Sequence, residues 1–417
     1  MHRVWVRTAI VGVVVAALIA GAVFLRSRPQ GLPIADFPAV DSKGYIAAIM
    51  EKDGKSRLVA IKPDGSLREA PGSATAIDSE IVWKPDGRRV LFVSNRSPGG
   101  SLQVFEWTPD RDADPIQLTP GGASRQNPWF SPSGDQFLYA SGGNILATTY
   151  PQLRSRRIMP PSSGPEGRET ESGEHIHQEG DNHEHDLVST IWTNYSEAIE
   201  GEAFSKGFLD GNTLLGQYTT SRGQVVILQN LDPADEREAL PQAVFGGQAI
   251  DITYHAATAK AVVAIMDFRF PILAEVPKEA ILPDGTVKTP FTNALFAIGL
   301  RDNSALPIFL SADDSQTLMS PAISPDGTRV AFVIMEKSAG AKRVTGMLVA
   351  PIEQGGVQKA QPIAQGEISS PSWSPDGQTI AFIRNGDVWT ISADGQNEKN
   401  LTNGKGRFST PLFSPMR

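Results

Sequence analysis

The chain has 417 residues, 40% of them hydrophobic and 20% charged, the balance of a folded protein rather than a disordered one. A net charge of -8, with no basic stripe beyond residues 154–157, excludes nucleic-acid binding, which needs a positive footprint to collect phosphates. There is no cysteine, which excludes disulfides, thiol catalysis, thiolate metal sites and a lipidated cysteine together.

Residues 1–7 form a short tail carrying Arg3 and Arg7. Residues 8–25 (TAIVGVVVAALIAGAVFL) are free of charge. At about 1.5 Å per residue such a helix reaches about 27 Å, enough for a bilayer core. A transmembrane signal anchor is predicted, because the apolar run continues through Val23, Phe24 and Leu25. A cleaved signal peptide using Ala20-Gly21-Ala22 is the alternative. Either outcome places the large C-terminal part outside the cytoplasm, in the periplasm or the extracellular space. Residues 26–42 hold three prolines and no periodicity and are read as a stiff linker.

From residue 43 onward a repeat organises the chain. Residues 81–94 (IVWKPDGRRVLFVS), 128–141 (PWFSPSGDQFLYAS), 321–334 (PAISPDGTRVAFVI) and 371–384 (PSWSPDGQTIAFIR) align on one pattern. In each, an aromatic or apolar residue precedes a Pro-Asp-Gly-like turn. Proline presets φ at the first corner, aspartate bonds its own backbone and glycine takes the position that strains other residues. A run of β-formers follows, such as residues 380–383. Then come a turn (Asn385-Gly386), a strand (residues 387–392), a second turn (Ala393-Asp394-Gly395) and a polar strand ending at Leu401-Thr402. Four short antiparallel strands per repeat are the content of one propeller blade.

Full blades are expected at residues 81–118, 128–159, 200–240, 249–310, 321–364 and 371–402. Residues 45–70 carry the second, third and fourth strands of a blade without the first, and residues 409–415 supply a first strand with nothing after it. A ring closed by pairing its two ends accounts for both. The predicted fold is therefore all-β, a β-propeller of seven blades over residues 43–417, with six as the alternative, preceded by one transmembrane helix.

Trp373-Ser374-Pro375-Asp376-Gly377, Phe382, Val388-Trp389, Ala393-Asp394-Gly395 and Leu401-Thr402 resemble the WD40-like repeats of the TolB family of periplasmic propellers. The likeness extends over about residues 45–415 and implies a propeller fold. Similar repeats occur in TolB-type scaffold proteins and in the propeller halves of prolyl-oligopeptidase-like enzymes. Seven blades would depart from the six of TolB itself.

Candidate chemistry is sparse. The chain has no Gly-x-Ser-x-Gly elbow, so a serine hydrolase is not expected. His255 is read as a packing or surface residue. Asp64, Asp86, Asp284, Asp326 and Asp376 of the Pro-Asp-Gly turns are read as turn-holding groups; calcium would need several oxygens converging on one point. The unusual segment is 162–186, dense in acids and holding His175, His177, His183 and His185 as two His-x-His pairs. Imidazoles interleaved with carboxylates suit zinc, nickel or copper; a solvated acidic insertion is the structural alternative. A second insertion falls at residues 268–291.

The expected function is that of a membrane-anchored extracytoplasmic platform that binds an envelope protein or a ligand through its loops, without enzymatic activity and without nucleic acid. A metal-handling protein using the histidine segment and a hydrolase of the propeller channel are the alternatives.

Overall fold

The computed structural model describes residues 43–159, 203–268 and 291–416, apart from breaks at 73–74, 110, 112, 143, 221–222, 233–241, 248–250, 303, 312–314, 339–340 and 354–358. Within them are seven four-stranded antiparallel sheets, each a meander of consecutive strands save one. The exception is blade 1, whose order is Arg407–Phe413, Ile46–Lys52, Lys55–Ile61, Leu67–Glu69. The C-terminal strand thus pairs with the first described strand, from Ile46↔Phe413 to Glu51↔Arg407. The ring closes as the split repeat predicted, with seven blades rather than six.

The first strands of blades 2 to 7 are Asp78–Trp83, Gln126–Phe130, Ala203–Phe208, Asp251–His255, Gln316–Ile323 and Ile368–Trp373. The first strands of most adjacent blades touch one another, which marks them as the inner strands around the axis. The middle strands are buried on both sides between neighbouring sheets. Val90–Ser94 and Gln103–Trp107 are therefore buried at every residue; the first opens on four consecutive apolar residues rather than an alternating pattern, and the second buries Gln103 and Glu106 with its apolar residues. Side chains of adjacent blades fill each gap: Ala47, Leu58 and Ala60 of blade 1 pack with Trp83, Phe92 and Phe105 of blade 2.

One expected boundary differs, and the expected insertion at residues 268–291 falls where the sequence placed it. Blade 4 does not end at residue 240; its fourth strand is Gln242–Gly247. In blade 5 the hairpin of Lys260–Phe268 and Phe291–Gly299 pairs at Phe268↔Phe291, so the insertion interrupts the connection between second and third strands. The meander fixes two sides of the ring. One, the lower face, carries the Pro-Asp-Gly turns between first and second strands. The other, the upper face, carries the second-to-third connections and the blade-to-blade connections. The strand ends bracketing 160–202 and 269–290 both fall on the upper face.

Residues 8–25, expected to cross a membrane, lie outside the described residues, among which no helix is long and apolar enough to do so.

Candidate binding face

On the lower face, the turn aspartates are engaged locally. Asp326 Oδ1 accepts from Ser324 Oγ at 2.5 Å and from Thr328 N at 3.0 Å, and Ser324 Oγ accepts from Arg329 N at 2.9 Å. Asp376 repeats this with Ser374 and Gln378. The hydroxyl of Ser324 and then the backbone N–H of Thr328 stabilise the charged form of Asp326, holding its pKa at about 2. Asp64 and Asp86 each accept the N–H two residues on. These acids hold turns, as expected; Asp284 lies outside the described residues.

The lower side is also belted, because polar side chains link every blade to the next. Ser414 Oγ donates to Gly87 O (3.3 Å), Arg89 Nη1 to Tyr150 Oη (2.6 Å) and Gln136 Nε2 to Gly211 O (3.3 Å). Arg301 Nη2 reaches Asp210 Oδ2 (3.2 Å), and His255 Nε2 lies 3.0 Å from Pro325 O. Arg329 Nη2 donates to Gly377 O (2.8 Å) while its guanidinium lies over the Trp373 ring, and Lys399 Nζ closes the circle onto Pro63 O (3.4 Å). His255 is thus an inter-blade tie. Between blades 2 and 3 the belt becomes a buried cluster: Tyr150 Oη also donates to Glu106 Oε2 at 2.7 Å, and Lys84 Nζ stands 4.4 Å from the Tyr150 ring centre. Burial raises the Glu106 carboxyl against the pull of Tyr150, Arg89 and Lys84.

The inner strands carry a feature the sequence reading missed. In six blades the pairing with the second strand slips by one residue; in blade 4 the slip falls at Lys206, and in the other five it falls at Glu80, Asn127, Ser320, Ser370 and Thr410. Each of these five has a positive φ between 47° and 55°. In four of them proline follows, which has no N–H for a ladder and is tolerated at bulges. The signal was present as an x-Pro at the head of these four first strands. At two junctions a carboxylate of one blade meets the bulge N–H of the next: Asn127 N–H donates to Glu80 Oε2, and Ser320 N–H donates to Asp251 Oδ2 at 2.6 Å. Glu80 keeps contact with solvent yet is crowded by protein, and this desolvation raises its carboxyl. Burial lowers the amine of half-buried Lys206, opposed by Asp251.

The upper face also holds two adjoining clefts. One, of about 740 Å³, lies between blades 7 and 1 and is lined by Glu367, Ser369, Asn385, Arg407, Phe408 and Ser409 among others. The other, of about 400 Å³, is lined by residues 51–56, Ile77 and Arg407. Arg407 belongs to both. Ile77 is 52% exposed, one of two large exposed apolar residues among those described. His175, His177, His183 and His185 lie outside the described residues, among which no three His, Asp or Glu converge where a metal ion could sit.

Residues 344–411 match the family model of the dipeptidyl peptidase IV N-terminal region. Over 117 residues the chain is 35% identical to the uncharacterized peptidase YuxL of Bacillus subtilis, covering 25% of this chain and 17% of that protein. Over 103 residues it is 34% identical to a TolB homolog of Chlorobium luteolum, covering 23% and 21%. The chain is a β-propeller of TolB-like, WD40-like repeats. The matches span about a fifth of the length of these relatives, so what is shared is repeats, not whole proteins. An oligogalacturonate lyase in complex with manganese superposes with a TM-score of 0.50 at 11% identity, over 86% of this chain and 85% of the other. TolB from Acinetobacter baumannii gives 0.44 at 12%, over 93% and 89%. At such identities the likeness concerns the fold.

Proposed function

We propose that this TolB-like propeller is a membrane-anchored, extracytoplasmic platform that docks an envelope protein on its upper face, and that it is not an enzyme. The observation that carries the reading is where the two long insertions attach. The upper face carries the attachment points of both, together with clefts of about 740 and 400 Å³, whereas the lower face, with one cleft of about 610 Å³ between blades 6 and 7, has its turn aspartates and belt residues tied to one another. Loops on a rigid scaffold are where binding resides, and a closed ring of seven blades is such a scaffold. Residues 8–25 would hold the ring at the membrane, and the stiff linker 26–42 would set its distance.

The test is affinity capture with the full chain from an envelope extract of its own organism, with and without EDTA. A specific partner retained under both conditions supports the platform. Capture only without EDTA would move the proposed zinc, nickel or copper role of His175, His177, His183 and His185 to the centre. No partner under either condition overturns the platform reading and directs attention to a small ligand in the channel, where a lyase- or hydrolase-like activity would have to be sought.

A further inference from the structure

The chain satisfies inner-strand bulges with its own carboxylates at two junctions; at the junctions of blades 6 and 7, 7 and 1, and 1 and 2 no described carboxylate does so, and the second of these adjoins a cleft that carries Arg407. Between blades 2 and 3 Glu80 receives the N–H of Asn127, and between blades 5 and 6 Asp251 receives that of Ser320. Blades 7 and 1 meet in the same way: Ser370 and Thr410 are their bulge residues, with φ of 53° and 47°, and the strands are joined by Phe413 N–H to Ser372 Oγ at 3.3 Å. Ser370, the counterpart of Glu80, is too short to carry a carboxylate to Thr410. Among the described residues no side chain accepts the Thr410 N–H, and Arg407, three residues earlier on the same strand, has no ion pair. Ser369, Arg407 and Ser409 line the 740 Å³ cleft that opens beside this junction.

We propose that a carboxylate of the docked protein occupies the junction of blades 7 and 1, taking from outside the place that Glu80 fills from within. This rests on the upper-face reading of the preceding section and names the chemistry of its partner. Thr410 N–H donates to the incoming oxygen, and Arg407 supplies the charge that draws it and a forked donor at the rim. A segment that continues across Arg407 into the second cleft brings an apolar side chain over exposed Ile77. The partner is thus an extended protein segment with an acidic residue flanked by an apolar one.

The purified full chain, labelled with ¹⁵N-threonine, is titrated with the capped peptide acetyl-Leu-Gly-Asp-Gly-amide, its Asn counterpart, and acetate. The Thr410 amide resonance, identified from the Thr410→Ser variant, should move downfield with the Asp peptide and not with the Asn peptide. Ser370→Glu should show the shifted resonance without peptide and fail to respond, because it installs the Glu80 arrangement in cis. Arg407→Ala, a change at an exposed side chain, should weaken peptide binding at least tenfold. An unmoved Thr410, or equal response to Asp and Asn peptides, overturns the proposal. A response to acetate as strong as to the peptide overturns the protein-segment assignment in favour of a free small carboxylate. If Thr410 is silent while blocking the upper face still abolishes capture of the envelope partner, only this inference falls; if blocking that face changes nothing, the platform reading falls with it.

Discussion

The indole N–H of Trp373 donates to the carbonyl oxygen of Ala322, 2.8 Å away in the preceding blade. Trp83 repeats the bond to Leu412 O at 2.9 Å, on the C-terminal strand that completes blade 1. The tryptophan before a Pro-Asp-Gly turn is therefore a latch between inner strands as well as a packing group. Replacing either by Phe keeps most of the apolar volume and leaves a backbone carbonyl without its donor, at a cost of about 1 kcal/mol. The two sites lie in different blades, so thermal unfolding of the double variant should show losses that add.

The Tyr150 hydroxyl sits between Arg89 and Glu106, accepting from one and donating to the other. Tyr150→Phe takes one hydrogen bond each from a carboxylate and a guanidinium, both almost fully buried, and leaves them their 3.6 Å ion pair with one another. A loss of about 1–3 kcal/mol is expected from unsatisfied buried polar groups, read as a lower denaturant midpoint at unchanged slope.

Gly207 has φ +129, and a Cβ built there would stand 2.1 Å from Tyr254 Oη. Gly207→Ala should destabilise by about 2 kcal/mol or more, from overpacking and from a backbone angle that L-residues avoid. Adding Tyr254→Phe removes the atom in the way. Partial recovery in the double variant, measured by chemical denaturation, separates the clash from the backbone term.

Asp326, Asp376 and Asp64 are all depressed below the usual carboxylate range, chiefly by hydrogen bonds within their turns. A depressed folded pKa gives stability that is complete above the unfolded value, about 3.9, and lost as pH falls through the folded value. Melting temperature should therefore fall between about pH 4 and, from Asp326, about pH 2. Each group is largely exposed, so each contribution is small. Asp326→Asn should flatten the fall; an unchanged pH profile in that variant would contradict the assignment.

Much of the ring was legible in the residues. Pro-Asp-Gly turns, apolar runs and the Leu-Thr ending mark a blade locally, since they reflect contacts within one sheet. Thr402 shows why: its hydroxyl accepts Val388 N–H and donates to Asp387, the start of the third strand of the same blade. The closure by residues 409–415 was legible because a blade lacking one strand must find it elsewhere. The belt was not, since Gln136, His255 and Arg329 bond to a neighbouring blade whose register no local pattern reveals. A trace was present: the position at or just before the start of the second strand is polar in the four clearest repeats (Arg89, Gln136, Arg329, Thr379), where an apolar β-former would be expected. The fourth strand of blade 4 was missed because Gln242–Gly247 (QAVFGG) lies beyond a stretch rich in charge and reads as a loop.

The most direct test of the upper face as the docking surface uses the absence of cysteine. Lys55→Cys places a single thiol in the second-to-third turn of blade 1, on the upper face, and Arg88→Cys places one in the first-to-second turn of blade 2, on the lower face. Each variant of the full chain is coupled to a bulky maleimide-polyethylene glycol and used to capture the envelope partner. The account predicts that the label at position 55 abolishes capture and the label at position 88 leaves it intact. Loss of capture from the lower-face label alone, or equal retention by both, would contradict it.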